Sequence, residues 1–165
     1  MIKEVSGDIL LTSAQVIVHG VAPGDHFDKG LALALREQWP SLAKDFRHHC
    51  HTSHPKAGDV WMWGTSNGKR VVSLLTQDEV EGERAAGKAG RAHLEHVNHA
   101  LRALRLLTEK EKFTSLAVPR LATGIGGLSW DEVYPMIKHV LSELTIPIYV
   151  YAEYRKGQAA TESPD

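Results

Sequence analysis

Pro119-Arg120-Leu121-Ala122-Thr123-Gly124-Ile125-Gly126-Gly127-Leu128-Ser129-Trp130 follows the apolar run Ser115-Leu116-Ala117-Val118 and leads into an amphipathic stretch. Its three glycines let backbone N–H groups approach an anion, and a helix opening at Trp130 favours negative charge at its start. Ser129 suits an N-cap, with Asp131 and Glu132 in the first turn. Val133, Ile137, Val140, Leu141 and Leu144 then form one apolar stripe. The glycine spacing is not that of a dinucleotide fingerprint, and no Gly-Lys-Ser/Thr follows as in a Walker A loop. A strand, a glycine loop and a helix are read here; such glycines also serve plain turns.

A second segment repeats the arrangement. Val16-Ile17-Val18 runs through His19-Gly20-Val21-Ala22-Pro23-Gly24-Asp25-His26-Phe27-Asp28-Lys29-Gly30 into a helix from Lys29 to about Cys50, with Leu31, Leu35, Trp39, Leu42 and Phe46 at helical spacing. Pro40 implies a kink or a break in it. Two loops at the carboxyl ends of strands can close over one ligand from opposite sides. Val60 to Trp63 and Arg70 to Leu75, joined across Ser66-Asn67-Gly68, read as a β-hairpin within Gly58 to Gln77. A helix from about Arg91 to Lys110 carries Leu94, Val97, Leu101, Leu104 and Leu107, and Ile146 to Tyr151 is a last strand with Pro147 near its start. Several strands are apolar on both sides, as expected when helices cover both faces. The fold class is α/β: a three-layer α/β/α sandwich around a mixed central sheet. Residues 1–152 form the domain, and 153–165 read as a flexible C-terminal tail without apolar periodicity.

The 165 residues fit one domain. A formal net charge of −1 supplies no global field toward nucleic acid or an anionic membrane. The lone cysteine, Cys50, rules out an intramolecular disulfide and suits a reducing compartment. Neither a signal peptide nor a membrane-length apolar run is present in the sequence, so a cytoplasmic, monomeric protein is expected. The cluster Arg47 to His54 offers His48, Cys50 and His54, but its spacing matches no standard zinc pattern and histidines suit a helix end. No metal and no cofactor are expected.

Gly7-Asp8-Ile9-Leu10, then Gln15 to His19, then Lys29-Gly30-Leu31-Ala32 resemble the opening of a macrodomain. Pro119 to Trp130 resembles the second phosphate loop of that family, and Ile148 to Tyr151 its last strand. The likeness spans roughly Ile2 to Tyr151. It is strongest to the branch holding hydrolases that remove ADP-ribose from protein glutamate and antitoxins that remove it from thymidine in DNA. The resemblance implies that Asp8 holds the adenine amine with Ile9 assisting; a turn or helix cap is the alternative for Asp8. It implies that His19, Val21, Lys29, Gly30 and Leu31 line the diphosphate and distal ribose. Arg120, Leu121, Thr123, Gly124, Ile125, Gly126 and Gly127 would wrap the phosphates. Tyr151 would face the adenine or, equally, fill the end of a core strand.

The branch is similar in using a lysine before the second helix and sometimes an aspartate in the second loop. Here those positions hold Arg91 and Gly126. Arginine stays charged and cannot attack a sugar carbon, so the resemblance points away from lysine-covalent catalysis. Arg91 and Lys88 are candidates for stabilising developing charge, or are solvated charges at a helix start. Gln77 could orient water, and Asp78, Glu79, Asp28 and His26 are candidates for acid–base work. The implied activity is hydrolysis of ADP-ribose from glutamate or thymidine, with ADP-ribosylated protein or DNA as partner. The alternative is a reader that binds ADP-ribose without chemistry.

Overall fold

A computed structural model describes residues 1–79 and 89–163 of the chain. Its strands are β1 (Ile2–Gly7), β2 (Val16–Val21), β3 (Val60–Gly64), β4 (Arg70–Leu75), β5 (Gln77–Glu79), β6 (Ala89–Ala92), β7 (Leu116–Val118) and β8 (Ile148–Tyr154). Its helices are α1 (Gly30–Gln38), α2 (Pro40–Ser53), α3 (Leu94–Glu111) and α4 (Trp130–Leu141), with a short 3₁₀ turn at Ile9–Leu11. Six strands form one sheet in the order β1-β8-β7-β2-β4-β3. All neighbours are parallel except β3 and β4.

Alternation along β2 explains the layers. Val16 and Val18 pack on one face with Val72, Leu74, Leu101, Leu104, Val133 and Ile137, so α3 and α4 cover that side. Ile17 and Val21 pack on the other with Leu35, Leu42, Phe46, Val71 and Leu75, under α1 and α2. The period of two along a strand thus feeds two separate cores. The three-layer mixed α/β/α sandwich expected from the sequence is the fold observed.

Chain order then places the site. From β2 the chain passes through α1 and α2 toward β3 and β4, while from β7 it passes through α4 to β8 on the opposite side. Adjacent strands β2 and β7 therefore send their connections in opposite directions. The crevice between such loops, at the strands' carboxyl ends, is where open α/β sheets bind ligands.

Several boundaries differ from expectation. The first helix is two, because Pro40 lacks the N–H that would continue α1 and instead opens α2. α3 begins at Leu94 rather than near Arg91: His93 is its extended N-cap, and Arg91 lies in β6. β6 pairs antiparallel with β5 in a two-stranded ribbon that no periodicity in the sequence announces. α4 opens as expected, Ser129 Oγ accepting the Asp131 N–H at 3.2 Å. The β3–β4 hairpin is also as read, with Gly68 at φ +89° in its turn.

The segment after residue 152 differs most. β8 continues to Tyr154, and the residues beyond it are tied to the domain. The Asp8 N–H donates to the Gln158 carbonyl at 2.7 Å, and the Gly157 N–H donates to Asp8 Oδ2 at 2.9 Å. Glu162 accepts from the Thr12, Ser13 and Tyr151 hydroxyls. Burial works against its charge, but these hydrogen bonds outweigh it and hold the carboxyl below the usual glutamate range. Polar anchors replace the apolar periodicity that the sequence lacks.

Candidate functional site

A cavity of about 460 Å³ lies at the carboxyl ends of the central strands. Its walls come from both glycine-bearing loops: Asp25, Asp28, Lys29, Gly30, Leu31 and Ala32 on one side, and Pro119, Arg120, Leu121, Ala122, Gly124, Ile125 and Gly126 on the other. His19, Gly20 and Gln77 complete it. The two turns that the sequence singled out face one another across this space.

Backbone donors give the cavity its chemistry. Lys29, the N-cap of α1, has an extended backbone and makes no side-chain cap hydrogen bond. Among the described residues, the first N–H groups of α1, at Gly30, Leu31 and Ala32, have no side-chain cap at the helix's electropositive end. Opposite them, the second loop is held by two internal bonds, Gly127 N–H to the Gly124 carbonyl at 3.1 Å and Leu128 N–H to the Ala122 carbonyl at 3.0 Å. Backbone from two elements lines this one space, an arrangement that can receive an anion. Arg120 adds a fixed positive charge, its guanidinium 5.2 Å above the Trp130 ring, which in turn stacks on Tyr134.

The first loop is pinned from within. Phe27 is fully buried despite φ +59°, 5.3 Å from the rings of both His19 and Phe46. Asp25 makes an Asx turn, Oδ1 accepting the Phe27 N–H at 2.8 Å, while Oδ2 accepts from Ala22 at 3.3 Å. Burial raises the Asp25 carboxyl above the usual range, with the nearby Asp28 charge adding to this and the backbone amides offsetting part of it. Asp28 is more exposed and pairs with Arg36 at 2.9 Å. The sequence reading passed over Asp25, because Pro-Gly-Asp looks like turn chemistry and nothing local reveals its burial.

At the floor, His19 Nε2 lies 2.7 Å from Ser73 Oγ, while His19 Nδ1 and Thr76 Oγ1 are buried without a partner among the described residues. Burial pushes the His19 pKa down to about 3 from an ordinary 6.5. The folded imidazole is thus neutral where the unfolded one takes a proton. Stability from this group is complete above pH 6.5 and lost as pH falls toward 3. The expected slope in that window approaches about 1.4 kcal/mol per pH unit. Denaturant unfolding of wild type and His19→Gln between pH 7 and pH 4.5 checks this. The variant should lose less stability than wild type over that range, and parallel losses would assign the slope to other groups.

Other expected site residues lie elsewhere. Val21 is buried in the core and Ile9 is nearly so. Thr123 turns its hydroxyl onto the Arg120 carbonyl at 3.0 Å, and Gly127, at φ +78°, supports the loop from outside the cavity lining. Asp8 accepts from Leu10 and Gly157 and is 6% exposed. Tyr151 donates to Glu162. Asp8 and Tyr151, expected at the adenine, bond the 3₁₀ turn and the C-terminal segment through these contacts.

Gln77 faces the cavity, its Nε2 donating to the Gly90 carbonyl at 3.0 Å. Arg91 lines a separate, more open cavity of about 650 Å³ with Asp78, Glu79 and His93. Gly90 and Ala92 line that cavity too, where the β5–β6 pairing is irregular in register. His26 is not among the residues lining the first cavity; its carbonyl accepts from Arg36 at 3.1 Å. Lys88 lies outside the described residues.

A family model described as "Macro domain" matches residues 23–137. The DNA ADP-ribosyl transferase–DNA ADP-ribosyl glycohydrolase fusion protein of Thermosipho africanus (strain H17ap60334) is 27% identical over 167 residues, covering 92% of this chain. The chain spans 42% of that relative's length. Among solved structures, the macrodomain of Mycobacterium tuberculosis DarG matches with a TM-score of 0.80 at 22% identity, over 95% of this chain and 99% of that one. Thermosipho africanus DarTG in complex with ADP-ribose matches with a TM-score of 0.79 at 21% identity, over 96% of this chain and 42% of that one. At these identities the structural matches speak to the fold. Among the described residues, no helix is long and apolar enough to cross a membrane.

Proposed function

This chain belongs to the macrodomain family, and from that premise we propose that it binds ADP-ribose and hydrolyses its bond to a thymidine base or a glutamate side chain. One observation carries the binding: the uncapped start of α1 and the Gly124–Gly126 turn face each other across a single cavity. A diphosphate between them receives N–H donors from both sides, with Arg120 and Lys29 at the rim. The distal ribose then sits over Asp28 and Gln77. Structural likeness to a protein solved with ADP-ribose supports the same ligand.

Hydrolysis needs a water aimed at the anomeric carbon of that ribose. Gln77 is fixed through its amide nitrogen on Gly90, leaving its oxygen to orient the water. Asp28 takes the water's proton as the oxygen attacks. The bond from the anomeric carbon to the carrier breaks, and the electron pair leaves with the base or carboxylate. The step needs no contribution from Arg91, which lines the other cavity.

The test is incubation at stoichiometric enzyme with a thymidine-ADP-ribosylated oligonucleotide and, separately, a glutamate-ADP-ribosylated protein, following free ADP-ribose. Release from at least one is expected, and Asp28→Asn should lower kcat by about 100-fold while leaving ADP-ribose affinity nearly unchanged. Absence of release from both would leave a reader that binds without chemistry. That second reading is favoured by the absence of Arg91, which occupies the branch's lysine position, from the cavity lining.

A further inference from the structure

Asp78, His93 and His96 converge at the ribbon edge, outside the cavity just described. We propose that they form a binding site for one divalent transition-metal ion of borderline softness, of which zinc is the type. Gln77 lines the ADP-ribose cavity, whereas Asp78 and Glu79, which follow it in β5, line the more open one. Across from Asp78 the chain leaves β6 and enters α3. His93 and His96, three residues apart at that helix start, project on one side. Two elements thus deliver three ligands to one point.

The distances suit an ion. His93 Nε2 lies 2.7 Å from one Asp78 oxygen and His96 Nε2 lies 3.2 Å from the other. One ligand atom from each residue falls within 4.8 Å of the others. An ion bound tetrahedrally at about 2.0–2.2 Å holds its ligands roughly 3.3 Å apart, so small side-chain rotations suffice. A surface ion pair is the ordinary use of a carboxylate beside a histidine, and contributes little. Here one carboxylate meets two imidazoles on separate oxygens, and His93 makes no side-chain cap bond at the N-cap it occupies.

Donor chemistry selects the metal. Two imidazoles and one carboxylate suit zinc and its neighbours, whereas magnesium and calcium require oxygen-rich shells. Side-chain exposures of 49% for Asp78 and 53% for His93 leave the remaining coordination positions open to water or an anion. Arg91 borders the same open cavity. The histidine cluster on α2 is used otherwise: Cys50 Sγ accepts the Gly24 N–H at 3.3 Å and His49 stacks on Trp61.

The inference stands apart from the ADP-ribose reading, because its readout is the metal alone. Tag-free full-length protein, stripped with chelator and dialysed, is titrated with zinc by calorimetry and with cobalt by visible absorption. One ion per chain, the d–d bands of nitrogen- and oxygen-bound cobalt, and a chelator-reversible rise in Tm are expected. His93→Ala, His96→Ala and Asp78→Asn should each weaken zinc binding by about 100-fold or more, while Cys50→Ser leaves it unchanged. Circular dichroism and metal-free Tm show that each variant is folded, and the cobalt spectrum of the wild type needs no variant. Failure of wild type to take up zinc at about 1 mM would overturn the proposal. So would wild-type binding in the three variants, or binding lost in Cys50→Ser.

Discussion

Gly126→Val is expected to weaken ADP-ribose binding by at least about 30-fold, close to 2 kcal/mol. A Cβ at this position would lie 2.6 Å from the Ala122 carbonyl oxygen, 2.8 Å from the Ala92 Cβ and 3.0 Å from the Ala122 carbonyl carbon. None of these atoms is the free end of a flexible side chain. The loop would have to part from β6, to which it is tied by the Ala92 N–H donating to the Gly126 carbonyl at 3.0 Å. Donors aimed at the diphosphate move with it, and each hydrogen bond to a charged group contributes roughly 1.5–3 kcal/mol. Gly64, at the end of β3 and outside the cavity lining, is the control. A Cβ there meets only the Arg70 side chain at 3.4 Å, so Gly64→Ala should bind within about threefold of wild type. Equal losses in both variants, measured by calorimetry, would show that the Gly126 contacts do not set the loop's geometry.

Phe27→Ala should cost about 3–5 kcal/mol of folding stability, because a fully buried aromatic side chain leaves a cavity that its neighbours only partly fill. In a domain of this size that corresponds to a drop in Tm on the order of 10 °C. Phe27 holds a left-handed backbone at φ +59°, a conformation that few non-glycine residues adopt without compensation from packing. Its ring supplies that compensation against His19 and Phe46. The loop it anchors carries Asp28, Lys29 and Gly30, so weaker ADP-ribose binding should accompany the lost stability. Phe27→Leu should recover part of both. Denaturant unfolding and calorimetry on the two variants measure it, and a loss below about 1 kcal/mol for Phe27→Ala would contradict the anchoring role.

The sheet and its flanking helices were legible because their signals are periodic. The apolar run of β2 and the stripes of α3 and α4 repeat at the spacing that burial demands. The glycine loops were legible because their backbone chemistry is tied to residue type. The β5–β6 ribbon was not: Gln77-Asp78-Glu79 and Ala89-Gly90-Arg91-Ala92 contain no β-branched residue, and tertiary context alone pairs them. The C-terminal segment escaped for a similar reason. Ala160 packs onto the α1–α2 core and Glu162 enters a set of hydroxyls, so single contacts hold it rather than a pattern. Asp78, His93 and His96 are 15 and 3 residues apart, and only the turn from β6 into α3 makes that spacing meaningful.

Calorimetric titration of the full chain with ADP-ribose tests the central claim most directly. Saturable uptake of one ADP-ribose per chain, weakened by Gly126→Val and retained in Gly64→Ala, is the predicted result. No heat of binding from wild type at ligand concentrations of about 1 mM would contradict it.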